Sequence, residues 1–173
     1  MTERRLAELE RRLAQIEDER AIERLIASYG PLVDAGDAEA VAGLWHEDGV
    51  YDVENWTMSG REEIAAMVRS RGHQELIGGG CTHFLGPAVA TVHGDEAVAV
   101  CDSTLLVRQD NGFRVARAGA NYFHLRRDPE SPARWRIVRR VTRLLDGAAE
   151  GRALLADGIA GRIRADRPPH SKR

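Results

Sequence analysis

Residues 82 to 145 are almost unbroken strand-forming sequence, and this feature constrains the fold most. Four segments, 82–92, 97–109, 113–126 and 134–145, are β-branched or alternate apolar with polar residues. Only turn sequences separate them: His93-Gly94-Asp95, Asp110-Asn111-Gly112 and Asp128-Pro129-Glu130-Ser131-Pro132. Asn-Gly is a strong hairpin signal, and strands joined by turns this short run antiparallel. Helical patterns fill the chain ahead of them. Helices first and long strands after is the α+β order, with helices packed on one face of a bent sheet.

The helical part opens with Leu6, Leu9, Leu13 and Ile16, an a/d stripe about two heptads long, too short for a stable free coiled coil but suited to packing on its own domain or on a second subunit. The stripe then shifts phase to Ile22, Leu25, Ile26 and Tyr29. The shift predicts a break near Asp18, with Asp18 as N-cap. Pro31 predicts a kink or an end nearby. Asp34-Ala-Gly-Asp37 reads as a helix stop and a new N-cap at Asp37, followed by a short helix over 38–45. Val50, Tyr51 and Val53 suggest a short strand. Ser59-Gly60-Arg61-Glu62 has the form of a capping box for a helix to about residue 71, and Gly78-Gly79-Gly80 reads as a flexible turn. A short helix is expected over 149–160.

Composition excludes more than it selects. The chain has 173 residues, 43% hydrophobic and 30% charged, enough for one domain with a real core. The net charge of −2 does not indicate a nucleic-acid surface. No apolar run approaches the ~18–20 residues that span a bilayer, and the start carries no signal core, so a cytoplasmic protein without a membrane partner is expected. Of 25 basic residues only Lys172 is a lysine, and it lies in the polar tail, away from any core that would activate it for Schiff-base chemistry. Cys81 and Cys101 read as free thiols. No metal-ligand spacing, Walker sequence, dinucleotide fingerprint or serine elbow is present. No metal and no cofactor are expected.

Tyr29-Gly-Pro-Leu-Val-Asp34-Ala-Gly-Asp37 precedes Leu44-Trp45-His46-Glu47-Asp48-Gly49-Val50-Tyr51-Asp52. Then come Ser59-Gly60-Arg61-Glu62-Glu63-Ile64, Thr82-His83-Phe84-Leu85-Gly86, Gly94-Asp95-Glu96-Ala97 and Trp135-Arg136-Ile137-Val138. In this order the segments, over residues 18–145, resemble the nuclear-transport-factor-2-like superfamily, and more narrowly its SnoaL-like members. The resemblance implies a cone: a curved antiparallel sheet, also described as a cystatin-like roll, wrapped on N-terminal helices around a deep pocket. Members include scytalone dehydratase, bile-acid 7α-dehydratase and steroid isomerases, together with non-catalytic proteins, so the fold alone does not fix the function.

The resemblance makes Tyr29, Asp34, His83 and Asn121 the candidate catalytic set. Imidazole, with an ordinary pKa of ~6.5, suits proton transfer near neutrality, and a carboxylate beside it orients the ring and stabilises the imidazolium. On this reading Asp34 serves His83, and Tyr29 and Asn121 polarise a carbonyl or hold a leaving group. Tyr29 and Asp34, five residues apart, point about 140° away from each other in an ideal helix, so their convergence requires the helix to end or bend at Pro31. Trp45, Tyr51, Trp56, Met67, Phe84, Asp102, Phe123 and Arg139 are the candidate substrate-binding residues. Arg139 and Arg140 face opposite ways on the last strand.

The expected organisation is an N-terminal helical extension over 1–17, the SnoaL-like domain over 18–147, a C-terminal helix over 148–161 and a disordered tail over 162–173. Apolar residues on both faces of the last strand, Ile137 and Val141 against Val138 and Leu144, call for a second covering. A homo-oligomer, most simply a dimer, is therefore expected. The favoured function is a cofactor-independent lyase or isomerase of dehydratase type, acting on a cyclic, largely apolar small molecule such as a steroid- or polyketide-like compound. The alternatives are a non-catalytic small-molecule-binding protein and a small subunit of a ring-hydroxylating oxygenase.

Overall fold

In the computed structural model, which describes residues 2–164, the first helix α1 (Thr2–Asp34) runs without a break. Asp18 does not cap a helix. Its carboxylate accepts both terminal nitrogens of Arg127, each at 2.7 Å, and Trp135 Nε1 at 3.1 Å. The phase shift in the apolar stripe marks where the helix leaves solvent and meets the domain: residues 2–17 are exposed, and Ile22 and Ile26 are buried. Pro31 sits inside α1, which ends one turn later. The stop is a Schellman turn: Gly36 (φ +71°) donates to the Val33 carbonyl and Asp37 to that of Leu32.

Asp37 caps α2 (Ala38–Ala42) by accepting the amide of Ala40 at 3.0 Å. This helix is shorter than expected, because Trp45 already belongs to β1 (Trp45–Val53), which a tight turn joins to β2 (Trp56–Ser59). Ser59 opens α3 (Gly60–Arg69), but its hydroxyl makes no cap bond. Instead Glu63, not Glu62, reaches back to the Ser59 amide at 2.7 Å. The glycine run belongs to an unexpected helix, α4 (Arg71–Gly79), whose N-cap Ser70 accepts the amide of His73.

The strands follow the expected order, with one division. Gly86-Pro87 splits the first segment into β3 (Cys81–Leu85) and β4 (Val89–His93), which lie end to end along one edge of β5 (Glu96–Gln109). Then come β6 (Gly112–Asp128) and β7 (Ser131–Leu144), and the sheet order is β2-β1-β7-β6-β5-β3. It is antiparallel except that β1 pairs with β7 in parallel. The main core lies between the inner face of the sheet and α1, α2 and α3, around Ile26, Val41, Trp45, Ile64, Phe123 and Ile137.

The outer face finds its second covering within the chain. Helix α5 (Ala149–Ile159) sets Leu154 against Val98, Ala120, Tyr122 and Val141. The sheet therefore does not by itself require a partner. Residues 162–164 are tied down, since the Tyr122 hydroxyl bonds the Arg162 carbonyl and the Arg164 amide. The rest of the predicted disordered tail, 165–173, lies outside the described residues.

A β-bulge in β7 decides which residues reach the interior. Leu125 pairs with Ile137, but the next residue back, His124, pairs with Arg139, so Val138 is the extra residue. Ahead of the bulge the odd positions Trp135 and Ile137 face the main core. Beyond it the even positions Arg140 and Thr142 face inward, and Val141 turns to the outer cluster.

Candidate functional site

Between the open end of the sheet and α1, α3 and α4 lies a cavity of about 190 Å³. Its walls are largely apolar or aromatic, including Val33, Met58, Met67 and Leu105. Its polar groups include those of Tyr29, Tyr51, His73, His83, Arg117 and Arg140. Trp56 and Phe84 also line it, at 52% and 59% exposure, so they rim the mouth.

One wall is built by the crossing of α1 over β3. Gly30 and Asp34 are one helical turn apart and share a face. A Cβ on Gly30 would stand 2.0 Å from the His83 carbonyl oxygen, so only glycine lets the helix lie this close to the strand. The same approach brings Asp34 onto His83 twice: Oδ1 lies 2.6 Å from Nδ1, and Oδ2 accepts the His83 backbone amide at 2.8 Å. Tyr29 and Val33 turn into the cavity instead. The expected divergence of Tyr29 and Asp34 is therefore real. They serve one site because β3 comes to Asp34.

His83 lines the cavity, and with Nδ1–H held by Asp34 its free nitrogen is Nε2. Burial pushes the imidazole below its usual pKa, with His73 and Arg140 adding to the effect, and Asp34 opposes them. His83 is thus neutral at pH 7, the form that accepts a proton. Asp34, Cys81 and His83 place their donor atoms within 4.8 Å of one another, which a metal ion could use. In this structure the three groups form a hydrogen-bonded cluster. Burial, and then the Asp34 carboxylate, push the Cys81 thiol up, so it stays protonated and donates to Asp34 at 3.7 Å.

A second histidine, absent from the sequence-based set, joins the wall. His73 on α4 is buried, its Nε2 lies 3.0 Å from the Val33 carbonyl, and its ring centre is 5.9 Å from that of His83. Reading Gly78–Gly80 as a turn hid α4. The signal for it was Ser70, which caps the helix that carries His73.

The opposite wall is built around Arg140. Its guanidinium lies 4.1 Å from the ring centre of Tyr29, 4.7 Å from Tyr51 and 5.1 Å from Phe123. Nε and Nη2 both donate to Asn121 Oδ1, at 3.1 and 2.7 Å. Asn121 is fully buried, also bonds Ser103 and Thr142, and is not among the residues lining the cavity. It holds Arg140 in place. The Tyr29 hydroxyl is raised far above its usual range, first by burial and then by Tyr51, against the pull of Arg140, so it remains a proton donor.

Four other expected contacts are corrected. Trp45 and Phe123 are fully buried core residues behind the wall, although Trp45 still packs its ring 5.5 Å from Tyr51. Asp102 is exposed, because the even positions of β5, Val98 among them, face outward. Arg139 also faces outward, 3.7 Å from Asp52, where Arg143 makes a two-pronged pair at 2.8 and 3.0 Å. The Val138 bulge gives the inward place to Arg140.

A family model described as a SnoaL-like domain matches residues 14–141. Among solved structures, an NTF2-like protein with a cystatin-like fold from Novosphingobium aromaticivorans is 48% identical, with 87% of this chain and 96% of that chain covered and a TM-score of 0.83. A protein of unknown function from Mycobacterium tuberculosis is 21% identical over 88% and 90% of the two chains, with a TM-score of 0.67. A second Novosphingobium aromaticivorans protein, provisionally named an aromatic ring hydroxylase, is 24% identical over 75% and 90%, with a TM-score of 0.59. These last two similarities speak to the fold alone. No curated protein sequence matches this chain.

Proposed function

The chain belongs to the SnoaL-like domain family, and from that premise we propose that it is a cofactor-independent lyase or isomerase of dehydratase type. The observation that carries this reading is the Asp34–His83 pair, whose carboxylate grips both the ring and the backbone amide of the histidine at the wall of a largely apolar cavity. In the proposed reaction His83 Nε2 takes a proton from the carbon next to a carbonyl. The C–O bond of a β-hydroxyl then breaks, and the same proton leaves with the hydroxide as water. Asp34 stabilises the imidazolium between the two events, and the Tyr29 hydroxyl donates to oxygen.

The volume limits the substrate. An apolar cavity of roughly 150 Å³ takes up benzene, so about 190 Å³ accepts one ring and its substituents. A steroid- or polyketide-sized compound would project past Trp56 and Phe84. No helix among the described residues is long and apolar enough to cross a membrane. A cytoplasmic location and a homo-oligomeric state remain part of the proposal.

The test is a screen of cyclic β-hydroxy carbonyl compounds for loss of water, repeated with His83→Ala and Asp34→Asn. Both variants are expected to lose turnover while keeping the fold. EDTA is expected to have no effect, and loss of activity on chelation would convert Asp34, Cys81 and His83 into a metal site. Tight binding without turnover would favour the non-catalytic alternative. Co-purification with a larger iron–sulfur protein would favour the oxygenase subunit.

A further inference from the structure

Arg140 is a buried cation with no acid in contact among the described residues. It is 3% exposed and lines the cavity, and its neighbours are three ring faces, the Tyr29 hydroxyl and the Asn121 amide, all of them neutral. Burying a charge is unfavourable unless it is paired, and a guanidinium cannot shed its proton to escape. Asn121 occupies the side edge of the guanidinium, formed by Nε and Nη2. Nη1 is buried and has no hydrogen-bond partner. The remaining edge, Nη1 with the second hydrogen of Nη2, is the fork that matches a carboxylate. No aspartate or glutamate lines the cavity, and its other arginine, Arg117, is already paired with Glu54 at 2.8 Å.

We propose that Arg140 is the anchor for a carboxylate on the ligand, so that the compounds taken by this cavity are small ring acids. The proposal rests on the cavity being a ligand site, but not on His83 performing catalysis. Asn121, Tyr29 and Tyr51 hold the planar guanidinium in place, and the apolar wall takes the ring.

The probe is benzoate, with benzamide as its neutral counterpart, titrated by calorimetry between pH 7 and 8, where His83 is uncharged. Benzoate is expected to bind the wild-type protein about tenfold or more tightly than benzamide, the difference between a charge-assisted and a neutral hydrogen bond. Arg140→Met is expected to abolish that preference. Equal affinities, or no benzoate binding, in the wild-type protein overturn the proposal whether or not the variant folds. So does a preference that survives in Arg140→Met and disappears in Arg117→Met. The preference is expected to persist in His83→Gln, so failure of the acid–base reading and failure of this one are separable.

A different observation carries a second inference. Leu6, Leu9, Leu13 and Ile16 are 52–58% exposed on a stretch of α1 that stands clear of the domain. With these four as a and d positions, Arg5 and Arg12 fall at g, and Glu10 and Glu17 at e. In a parallel pair each g residue meets the e residue five places on in the partner, so Arg5 meets Glu10 and Arg12 meets Glu17. An antiparallel pair would set Glu10 near Glu10 and Arg12 near Arg12. We infer that this stripe joins two copies of the chain as a parallel coiled coil. Leu6→Cys is expected to give a disulfide-linked dimer on mild oxidation, and mixing Leu6→Cys with Ile16→Cys chains is expected to give no disulfide between the two variants. Leu9→Glu with Leu13→Glu should convert a dimer to a monomer in light scattering. A wild-type monomer, a dimer that survives those two substitutions, or a Leu6–Ile16 cross-link overturns the inference.

Discussion

The two faces of β7 treat arginine in opposite ways. On the outer face Arg143 is paired with Asp52 and Glu150, and Arg139 lies beside the same aspartate. On the inner face Arg140 faces aromatic rings and an amide, with no carboxylate near it among the described residues. Arg140 and Arg143 share the strand, the residue type and burial, so the difference lies in what each face is for. The outer face is closed by the chain's own α5, and its charges are neutralised internally, as structure requires. The inner face leaves a cation uncompensated beside a cavity, as a site for an external anion requires.

Substitutions that separate function from stability should sharpen this contrast. The largest effect belongs to the inner face. Once a substrate is found, His83→Ala should lower turnover by 10²–10⁴-fold, about 3–5 kcal/mol of barrier, with thermal unfolding little changed. Full activity would erase the functional meaning of that face. On the outer face Arg143→Met leaves the partly buried Asp52 without its main partner. It should destabilise the protein by about 3 kcal/mol in urea unfolding, without touching the cavity. Arg140→Met should change stability by no more than about 1 kcal/mol, because it removes a buried charge that no acid balances. A loss as large as that for Arg143 would make the two faces equivalent.

Gly30→Ala probes the seam between them. The added methyl meets the His83 carbonyl, so α1 and β3 must separate, at a cost of roughly 2–3 kcal/mol. The Asp34–His83 bond should loosen with them, visible as a changed imidazole resonance in NMR. Acid should produce a smaller effect. His83 has a lowered pKa in the folded protein, so in the window below its ordinary value of 6.5 the unfolded chain binds more protons. Stability and turnover should therefore both fall as pH drops through that window, and the stability part should vanish in His83→Gln. The smallest effect is expected at Asp102, which is exposed on the outer side: Asp102→Asn should change stability by under about 0.5 kcal/mol and leave turnover unchanged.

By itself the sequence determined the features set by local chemistry and short-range pattern. Alternating segments and turn residues placed the long strands to within a few residues, and Asp37 caps the helix it was expected to cap. The ordered motifs also picked out Asp34 and His83, which the fold brings together. The reading failed at α4, where three glycines masked a helix held by a serine cap and packing, and at Asp18, whose acid found Arg127 from far along the chain.

Only the tertiary structure decided which side of a strand faces the cavity. Side chains alternate with a period of two, so one extra residue reverses every position after it. The bulge at Val138 leaves no mark in the composition of β7, yet it exchanges Arg139 for Arg140 in the site. Likewise Gly30 was legible only as a small residue in a helix until a strand from fifty residues away lay across it. The type of each element is written in neighbouring residues, whereas the membership of the site depends on registers and close approaches that exist only once distant segments meet.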